Sequence, residues 1–419
     1  MKTTNPITVY WIGSFFVGMI FSIVFAANQL YRVQTVGLNP LQLVLVGTAL
    51  EFTAFVFEVP TGIVADIYSR RLSVIIGTFL FGIGFIIEAS FPIFGVIIIA
   101  QVIWGTAWTF ISGAHSAWIT DEVGVKNVGP IFLRSSQLNM LGNLFGIPLF
   151  ILLGNISYRL PILVGGCLFL VLGIFRLLAM PETGFVQKPV EERNTWREMV
   201  ATFRSGIQLA KIKPILLTFA LISIFVGLYS EGYDRLTEAH FIQQFAFPPI
   251  PWGGDPIVFW FALMRILGLI LSLGLTEIVN RHLDTRDNIL VARALSLIYG
   301  LVSLGLFVFA WTKDFYIAIF ATLVIDSMRS LSNPLINTWV NKYIRSNVRA
   351  TMLSMTSQLD AFGQIIGGPI VGIIGNLRSI RLALTTSAIL ILPVVPLYEK
   401  TVHQSKLQKN AILTADDES

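Results

Sequence analysis

The chain has 419 residues, of which 54% are apolar and only 13% are charged, and its net charge is +5. Soluble domains carry about 25% charged residues, so this chain lacks the polar residues needed to cover a water-exposed surface. The composition therefore excludes an ordinary soluble protein and predicts one that lives in a lipid bilayer. The basic residues are concentrated in particular loops, which indicates membrane topology and not binding to nucleic acid.

The chain also lacks the residue groups that most cofactors and catalysts require. Cys167 is the only cysteine, which excludes a disulfide framework and a thiolate metal site. The four histidines show no metal-ligand spacing, and there is no glycine-rich loop for the phosphates of ATP. We therefore expect no cofactor, no metal and no enzymatic activity.

Apolar segments long enough to cross a membrane follow one another from the N-terminus. The first, 9–31, is too long for the core of a signal peptide and lacks a clear cleavage site, so we interpret it as a membrane helix. The further predicted spans are 40–64, 72–90, 93–119, 129–154, 160–180, 214–233, 257–279, 289–311, 315–340, 352–375 and 382–397. The sequence thus predicts an all-α membrane protein with twelve transmembrane helices.

The basic residues of the connecting loops predict the orientation of these spans. With both termini inside the cell, the cytoplasmic segments hold Lys2, Arg70, Arg71, Lys126, the basic run within 188–213, Arg281, Arg286, Lys342, Arg345, Arg349 and the lysines of the tail. The external segments hold only Arg32, Arg159, Lys313, Arg378 and Arg381. This bias predicts a multi-pass protein of the cell membrane with both termini in the cytoplasm.

A polar interruption divides the spans into two sets of six. We predict an N-terminal six-helix half over 1–180, a cytoplasmic linker over 181–213, a C-terminal half over 214–397 and a cytoplasmic tail over 398–419. Within the linker, Thr195 and Glu198 have the spacing of a helix capping box, and apolar residues follow at helical intervals. We expect an amphipathic helix on the inner leaflet there, with membrane lipids as partners.

One stretch of the chain occurs twice, at an offset of 221 residues and without a gap. The offset places Trp118 on Trp339, and it aligns two copies of a small-residue motif: Gly142, Gly146 and Pro148 with Gly363, Gly367 and Pro369. Small residues let a neighbouring helix approach closely, so we expect these glycines to lie against other helices. The repeat indicates two pseudo-symmetric six-helix halves, a design found among secondary transporters.

The loop between the second and third predicted spans carries a specific motif. It reads Gly62-Ile63-Val64-Ala65-Asp66-Ile67-Tyr68-Ser69-Arg70-Arg71. This resembles the loop signature of the major facilitator superfamily, Gly-x-x-x-Asp-x-x-x-Arg-Arg, and twelve spans in two halves extend the resemblance over essentially the whole chain. The resemblance implies that Gly62, Asp66, Arg70 and Arg71 form a conformational latch that stabilises one access state and breaks during transport. An ordinary basic cytoplasmic loop is the alternative.

Two further signatures of this superfamily match less completely. The motif of Gly142, Gly146 and Pro148 resembles in part the antiporter signature of bacterial drug/proton antiporters, which has adjacent glycine and proline. Close helix packing alone would also explain it. The arginine that proton-coupled exporters carry in the fourth span is absent, because Gln101 stands there. Any proton coupling must therefore rest on other groups.

Ionisable residues inside membrane spans are costly in hydrocarbon and usually face an aqueous path. The proton or substrate candidates of this kind are Glu51, Glu58, Arg134, Arg265, Asp326, Arg329 and Asp360. Glu51 and Glu58 are seven residues apart and share one helix face. Glu51 lies near the midplane of its span and is the preferred proton carrier, since desolvation favours the neutral carboxyl. Glu58 is either a second carrier or a brace for the adjacent latch.

The other candidates leave alternatives open. Asp326 and Arg329 are three residues apart, so they either neutralise each other within one helix or form a gated substrate or proton site. Asp360 lies deep enough in its span to require a partner, for which Arg134 and Arg265 are candidates.

Together these features predict a secondary transporter that works by alternating access, as a monomer, on a small organic substrate. The partial antiporter signature and the aromatic-rich spans favour efflux of an amphipathic compound by antiport, with protons as the candidate coupling ion. The alternatives are an uptake symporter for a small organic anion, favoured if Arg134, Arg265 and Arg329 converge on one pocket, and a transport-dead receptor or lipid-moving protein on the same scaffold.

Overall fold

The computed structural model describes residues 4–187, 214–251, 253–285, 287–343 and 346–402. These residues form helices and connecting loops, with no strand among them. The helices are α1 Pro6–Leu30, α2 Pro40–Ile67, α3 Arg70–Ser90, α4 Phe94–Ile111, α5 Ala114–Val123, α6 Val128–Gly154, α7 Arg159–Ala179, α8 Pro214–Gln244, α9 Pro256–His282, α10 Asn288–Trp311, α11 Phe315–Tyr343, α12 Ser346–Leu377 and α13 Ile380–Ile391, and residues 394–402 are again helical. The amphipathic helix expected in the linker lies outside the described residues.

Eleven helical segments of the described chain are long and apolar enough to cross a membrane. They correspond to the predicted spans except the eleventh, which lies within the helix α12. The predicted all-α membrane fold is therefore confirmed. Several helices begin with a capping side chain, as Asn39 does for α2, which satisfies backbone N–H groups that have no partner within the helix.

Two predicted spans differ from the helices that form. The fourth is divided into α4 and α5, because Gly113 adopts a backbone φ of +74° that only glycine adopts readily. The seventh span was predicted over 214–233, with the following polar residues as an extension of its helix beyond the bilayer, and α8 does continue to Gln244. Its polar end is stabilised within the protein, where Glu231 is buried and accepts a hydrogen bond from Arg235 at 3.1 Å.

The described residues group into two compact units. One draws on Met1–Met199 and Pro248–Ala262, and the other on Val200–Phe247 and Leu263–Ser419. In the first unit α1 packs along α6, and in the second α8 packs along α12. Each unit also buries one of the two tryptophans that the repeat aligns, Trp118 and Trp339.

The repeated glycines lie where the paired helices approach most closely. A Cβ atom added at Gly142 would lie 2.0 Å from the carbonyl oxygen of Phe15 in α1, and one added at Gly363 would lie 2.4 Å from that of Ile224 in α8. Gly146 and Gly367 face the same helices one turn further on. The prolines of the motif, Pro148 and Pro369, lie inside α6 and α12. Backbone-to-backbone contact of this kind leaves no room for a side chain.

Candidate functional site

The signature loop joins α2 to α3 at one end of the first unit. Gly62 is half-buried in the last turns of α2, and Asp66 is buried one turn later. Arg70 begins α3 and forms an ion pair with Asp121 of α5, while the same nitrogen donates to the carbonyl oxygen of Ala117 at 3.0 Å. Arg70 of the signature loop is therefore held by Asp121, a carboxylate outside the predicted latch.

Arg71 and its neighbour Ser69 connect this loop to the chain that follows α7. Arg71 donates to the carbonyl oxygen of Leu177 at 2.6 Å. The Glu182 carboxylate accepts hydrogen bonds from the Ser69 hydroxyl at 2.6 Å and from the Arg71 backbone N–H at 2.9 Å. Asp121 and Glu182 each follow a predicted span at its predicted cytoplasmic end, which is also where the basic signature loop was predicted. This shared location is the sequence feature that could have indicated these contacts.

A buried ion pair lies at the other end of α3. Arg32 was interpreted as an external loop charge, but its side chain is 3% exposed and contacts Glu88 at 2.7 Å, with Glu88 1% exposed. Gln101 donates to the other oxygen of Glu88 at 3.0 Å. Gln101, which stands in place of the expected arginine of the fourth span, thus belongs to a hydrogen-bonded cluster in which the charges of Arg32 and Glu88 cancel. Burial of both charges is tolerable because they satisfy each other.

The first unit contains a cavity of about 380 Å³ among α1, α3, α4, α5, α6 and α7. Aromatic and small polar side chains line it: Ser14, Val17, Phe21, Phe81, Trp108, Ile111, His115, Phe132, Ser135, Ser136, Asn139, Phe169 and Arg176. Ser14 and Ser135 share a hydrogen bond of 2.6 Å, and Asn139 donates to the carbonyl oxygen of Ser14 at 3.0 Å. The guanidinium of Arg176 is the charged group of this lining that the sequence analysis missed.

The second unit contains a cavity of about 440 Å³. Three charged residues take part in its lining. Arg329 of α11 holds Asp234 of α8 through two hydrogen bonds of 2.5 and 2.9 Å, the bidentate geometry that suits arginine and carboxylate. Asp360 of α12 accepts a hydrogen bond from Gln364 at 2.8 Å. Aromatic residues complete the wall: Phe219, Tyr229, Tyr299 and Tyr398.

The structure places Asp326 differently from the pairing considered within its helix. Arg329 forms its ion pair with Asp234, and Asp326 instead accepts a hydrogen bond from the Tyr233 hydroxyl at 2.8 Å. The spacing of three residues permitted the local pair, but the neighbouring helix α8 supplies both partners. Arg265 of α9 interacts electrostatically with Asp326 and with Glu238.

The partners considered for Asp360 also differ. Its hydrogen bond comes from Gln364 on its own helix, and Arg329 acts on it electrostatically. Arg134 is exposed on α6 and donates to Gln137 at 3.1 Å. Of the two α2 candidates, Glu51 is half-buried and Glu58 is exposed. Hence Asp360 and Arg329 are the sequence candidates that share a cavity.

Comparisons with known proteins agree with this architecture. Residues 10–368 match the family model described as Major Facilitator Superfamily. A relative in Bacillus subtilis (strain 168), the uncharacterized MFS-type transporter YxaM, is 24% identical over 370 residues, which cover 85% of this chain and 86% of that protein.

Solved transporters share the fold at low sequence identity. The nucleoside transporter NupG superposes with a TM-score of 0.74 at 14% identity, over 94% of this chain and 98% of that one. An inward-facing, unoccupied bacterial homolog of the human lysosomal transporter Spinster gives a TM-score of 0.73 at 11% identity, over 95% and 96% of the two chains. With a family match over most of its length, the chain belongs to the Major Facilitator Superfamily and is a membrane transporter of that type.

Proposed function

We propose that this transporter exports an amphipathic organic compound in exchange for protons, by alternating access across the cell membrane. The observation that carries the proposal is the pair of acidic residues in the cavity of the second unit. One of them, Asp234, is neutralised by Arg329, while the hydrogen-bond donor to the other, Asp360, is the neutral amide of Gln364. A cavity carboxylate without an ion pair can bind a proton without first breaking one.

The groups around Asp360 support such a role. Arg329, Asp234 and Glu231 act on it electrostatically, from α11 and α8. Arg329 is itself held by Asp234, and it lies 5.7 Å from the ring centre of Tyr229. A movement of α8 relative to α11 would change the balance between these charges at Asp360. Coupled changes in charge balance and helix packing are what alternating access requires of a proton carrier.

The lining of both cavities favours an amphipathic substrate. Aromatic rings dominate the first cavity, where Phe21, Phe81 and Phe169 pack with ring centres 5.2 Å apart. The second cavity combines Phe219 and Tyr229 with small hydroxyl groups. Aromatic walls combined with orienting polar groups are typical of sites for small organic ligands.

The alternative, uptake of a small organic anion with protons, is favoured by one observation. Arg176 places a buried positive charge in the first cavity. The arginines considered for an anion clamp in the second unit are less suited to it, because Arg329 is paired with Asp234 and Arg265 interacts with Glu238.

The test is proton movement driven by substrate in reconstituted liposomes that contain a trapped pH-sensitive dye. A panel of aryl amines, amides and carboxylates is added outside, without any imposed gradient. An antiporter exchanges entering substrate for leaving protons, so at least one compound should make the lumen more alkaline than it does in protein-free liposomes, where neutral amines also enter and take up protons. A symporter would make it more acidic, which would reverse the proposed direction of coupling.

Three variants locate the proton carrier. Asp360→Asn should abolish the pH change while the compound still binds, and Glu277→Gln, an exposed carboxylate on α9, should leave it unchanged. Glu51→Gln tests the carrier preferred from the sequence. Loss in Glu51→Gln with normal proton movement in Asp360→Asn would assign the role to Glu51, and a wild-type protein that moves no protons with any compound would refute proton coupling.

A further inference from the structure

Within the described ranges, a buried arginine in the cavity of the first unit has no carboxylate to balance its charge, unlike the arginines of the ion pairs reported above. Arg176 is 1% exposed and lines the cavity from α7. The one hydrogen bond of its guanidinium goes to the neutral hydroxyl of Thr78, at 2.5 Å from Nη1. A guanidinium carries five N–H donors, so most of its capacity remains for another acceptor.

Two other arginines show how this protein ordinarily treats such a charge. The buried Arg32 is held by Glu88, and the half-buried Arg329 by Asp234. Ion pairs among the described residues include Arg32–Glu88, Arg70–Asp121, Arg235–Glu231, Arg281–Glu277 and Arg329–Asp234. None of them includes Arg176. An isolated buried charge costs several kcal/mol, so its persistence in a cavity indicates a function that requires it.

The surroundings of Arg176 are shaped for the guanidinium. Gly13 of α1 lies against it, and a Cβ at that position would stand only 3.2 Å from Nη2. Ser14, Ser135 and Asn139 bring small polar groups to the same cavity, and they bond chiefly to one another and to backbone. The aromatic rings of Phe21, Phe81 and Phe169 line the same cavity.

We propose that Arg176 binds the carboxylate of an amphipathic organic acid whose apolar body lies among these aromatic rings. The fork of N–H donors matches a planar carboxylate, and a cavity of about 380 Å³ accommodates a small ligand. This inference deepens the proposed function by naming the charge of the substrate. The inference rests on the proposed function in one respect, namely that the bound acid is the compound that the protein transports.

Binding to the purified protein in a neutral detergent tests the site without any transport. The probes are benzoate, 4-phenylbutyrate and 1-naphthaleneacetate, each compared by calorimetry with its uncharged amide. The wild type should bind at least one acid more tightly than the matching amide. Arg176→Met should weaken that acid by about 10-fold or more, Arg176→Lys by less, and Arg159→Gln, at an exposed arginine of the same helix, not at all.

A second readout separates a binding role from a structural one. If Arg176 serves a ligand, the empty protein bears an uncompensated buried charge, and Arg176→Met should raise the unfolding midpoint of the ligand-free protein while it removes acid binding. A lower midpoint in Arg176→Met would identify the residue as a structural brace and overturn the proposal. Equal affinity for acids and amides, or no binding of either, would overturn it too.

Anionic lipid is the other source of a negative group, and a competition arm addresses it. Adding phosphatidylglycerol to the detergent should leave the affinity for the acid unchanged. Displacement of the acid by the lipid in the wild type would assign Arg176 to a phosphate headgroup and refute the substrate site. Normal acid binding in a protein that moves no protons would refute the proposed coupling while the Arg176 site stands.

Discussion

The close contact between α1 and α6 gives a quantitative prediction for Gly142→Ala. The new Cβ would lie 2.0 Å from the Phe15 carbonyl oxygen and 2.9 Å from the Met19 nitrogen. Both are backbone atoms, which cannot rotate away. Since ordinary van der Waals contact begins at 3.4 Å, the two helices would have to separate locally by about 1.4 Å. Overpacking of this kind destabilises by roughly 1–3 kcal/mol.

A control variant on the same helix separates the steric clash from the other effects of replacing glycine by alanine. Gly129 has open space around it, so Gly129→Ala makes the same chemical change without a clash. Alanine is favoured over glycine by about 1 kcal/mol in a helix interior and by less at Gly129, the second residue of α6, so the Gly129→Ala protein should be as stable as the wild type or slightly more so. The prediction is thus a difference in sign between two identical substitutions on α6.

The assay is thermal unfolding of the purified proteins in detergent, at one scan rate because such unfolding is often irreversible. Gly142→Ala should unfold at a lower temperature than the wild type, with a few degrees between it and Gly129→Ala. Gly363→Ala should show a smaller loss, because its Cβ would stand 2.4 Å from the Ile224 carbonyl oxygen. An unfolding midpoint for Gly142→Ala equal to that of Gly129→Ala would refute the packing argument.

Two further predictions concern the charged contacts. Glu88→Gln leaves the guanidinium of Arg32 without the carboxylate that contacts it at 2.7 Å. The substitution should therefore destabilise the folded protein by about 3–5 kcal/mol. It should lower the unfolding midpoint far more than Glu277→Gln, at an exposed position, does, and equal midpoints for the two variants would contradict this prediction. Asp66→Asn, in the signature loop, should slow transport strongly in liposomes while expression and unfolding midpoint stay close to wild type, and full transport by this variant would remove Asp66 from the switch.

The helical framework was predictable because it depends on local sequence properties. Apolar length decides which segments enter the bilayer, and the gapless repeat identified Gly142 and Gly363 as equivalent positions. The helix ends were less accurate where tertiary contacts extend a helix. The span predicted to residue 233 belongs to a helix that reaches Gln244, and Asp234 beyond that span is held by Arg329 of α11.

The charged contacts were harder to predict, since their partners are distant in sequence. Arg32 and Glu88 are 56 positions apart, and Arg329 and Asp234 are 95 apart. Spacing within a helix suggested Asp326 for Arg329, and only the side-chain contacts between α8 and α11 decide between the two carboxylates. Arg176 belongs to no motif in the sequence. Its significance depends on a missing carboxylate, which a sequence without a structure does not reveal.

The duplication explains why the two cavities occupy equivalent places but differ in charge. Six positions line both cavities at the offset of 221: Trp108 with Arg329, Ile111 with Ser332, His115 with Ile336, Ser135 with Thr356, Ser136 with Ser357, and Asn139 with Asp360. The glycine contacts on α6 and α12 hold the last three of these pairs in equivalent places. At the last pair the first unit has a neutral amide in a cavity with Arg176, whereas the second has a carboxylate in a cavity with the Arg329–Asp234 pair. An anion ligand requires the first arrangement and a proton carrier the second, so a few changed residues on a common scaffold separate the two proposed roles.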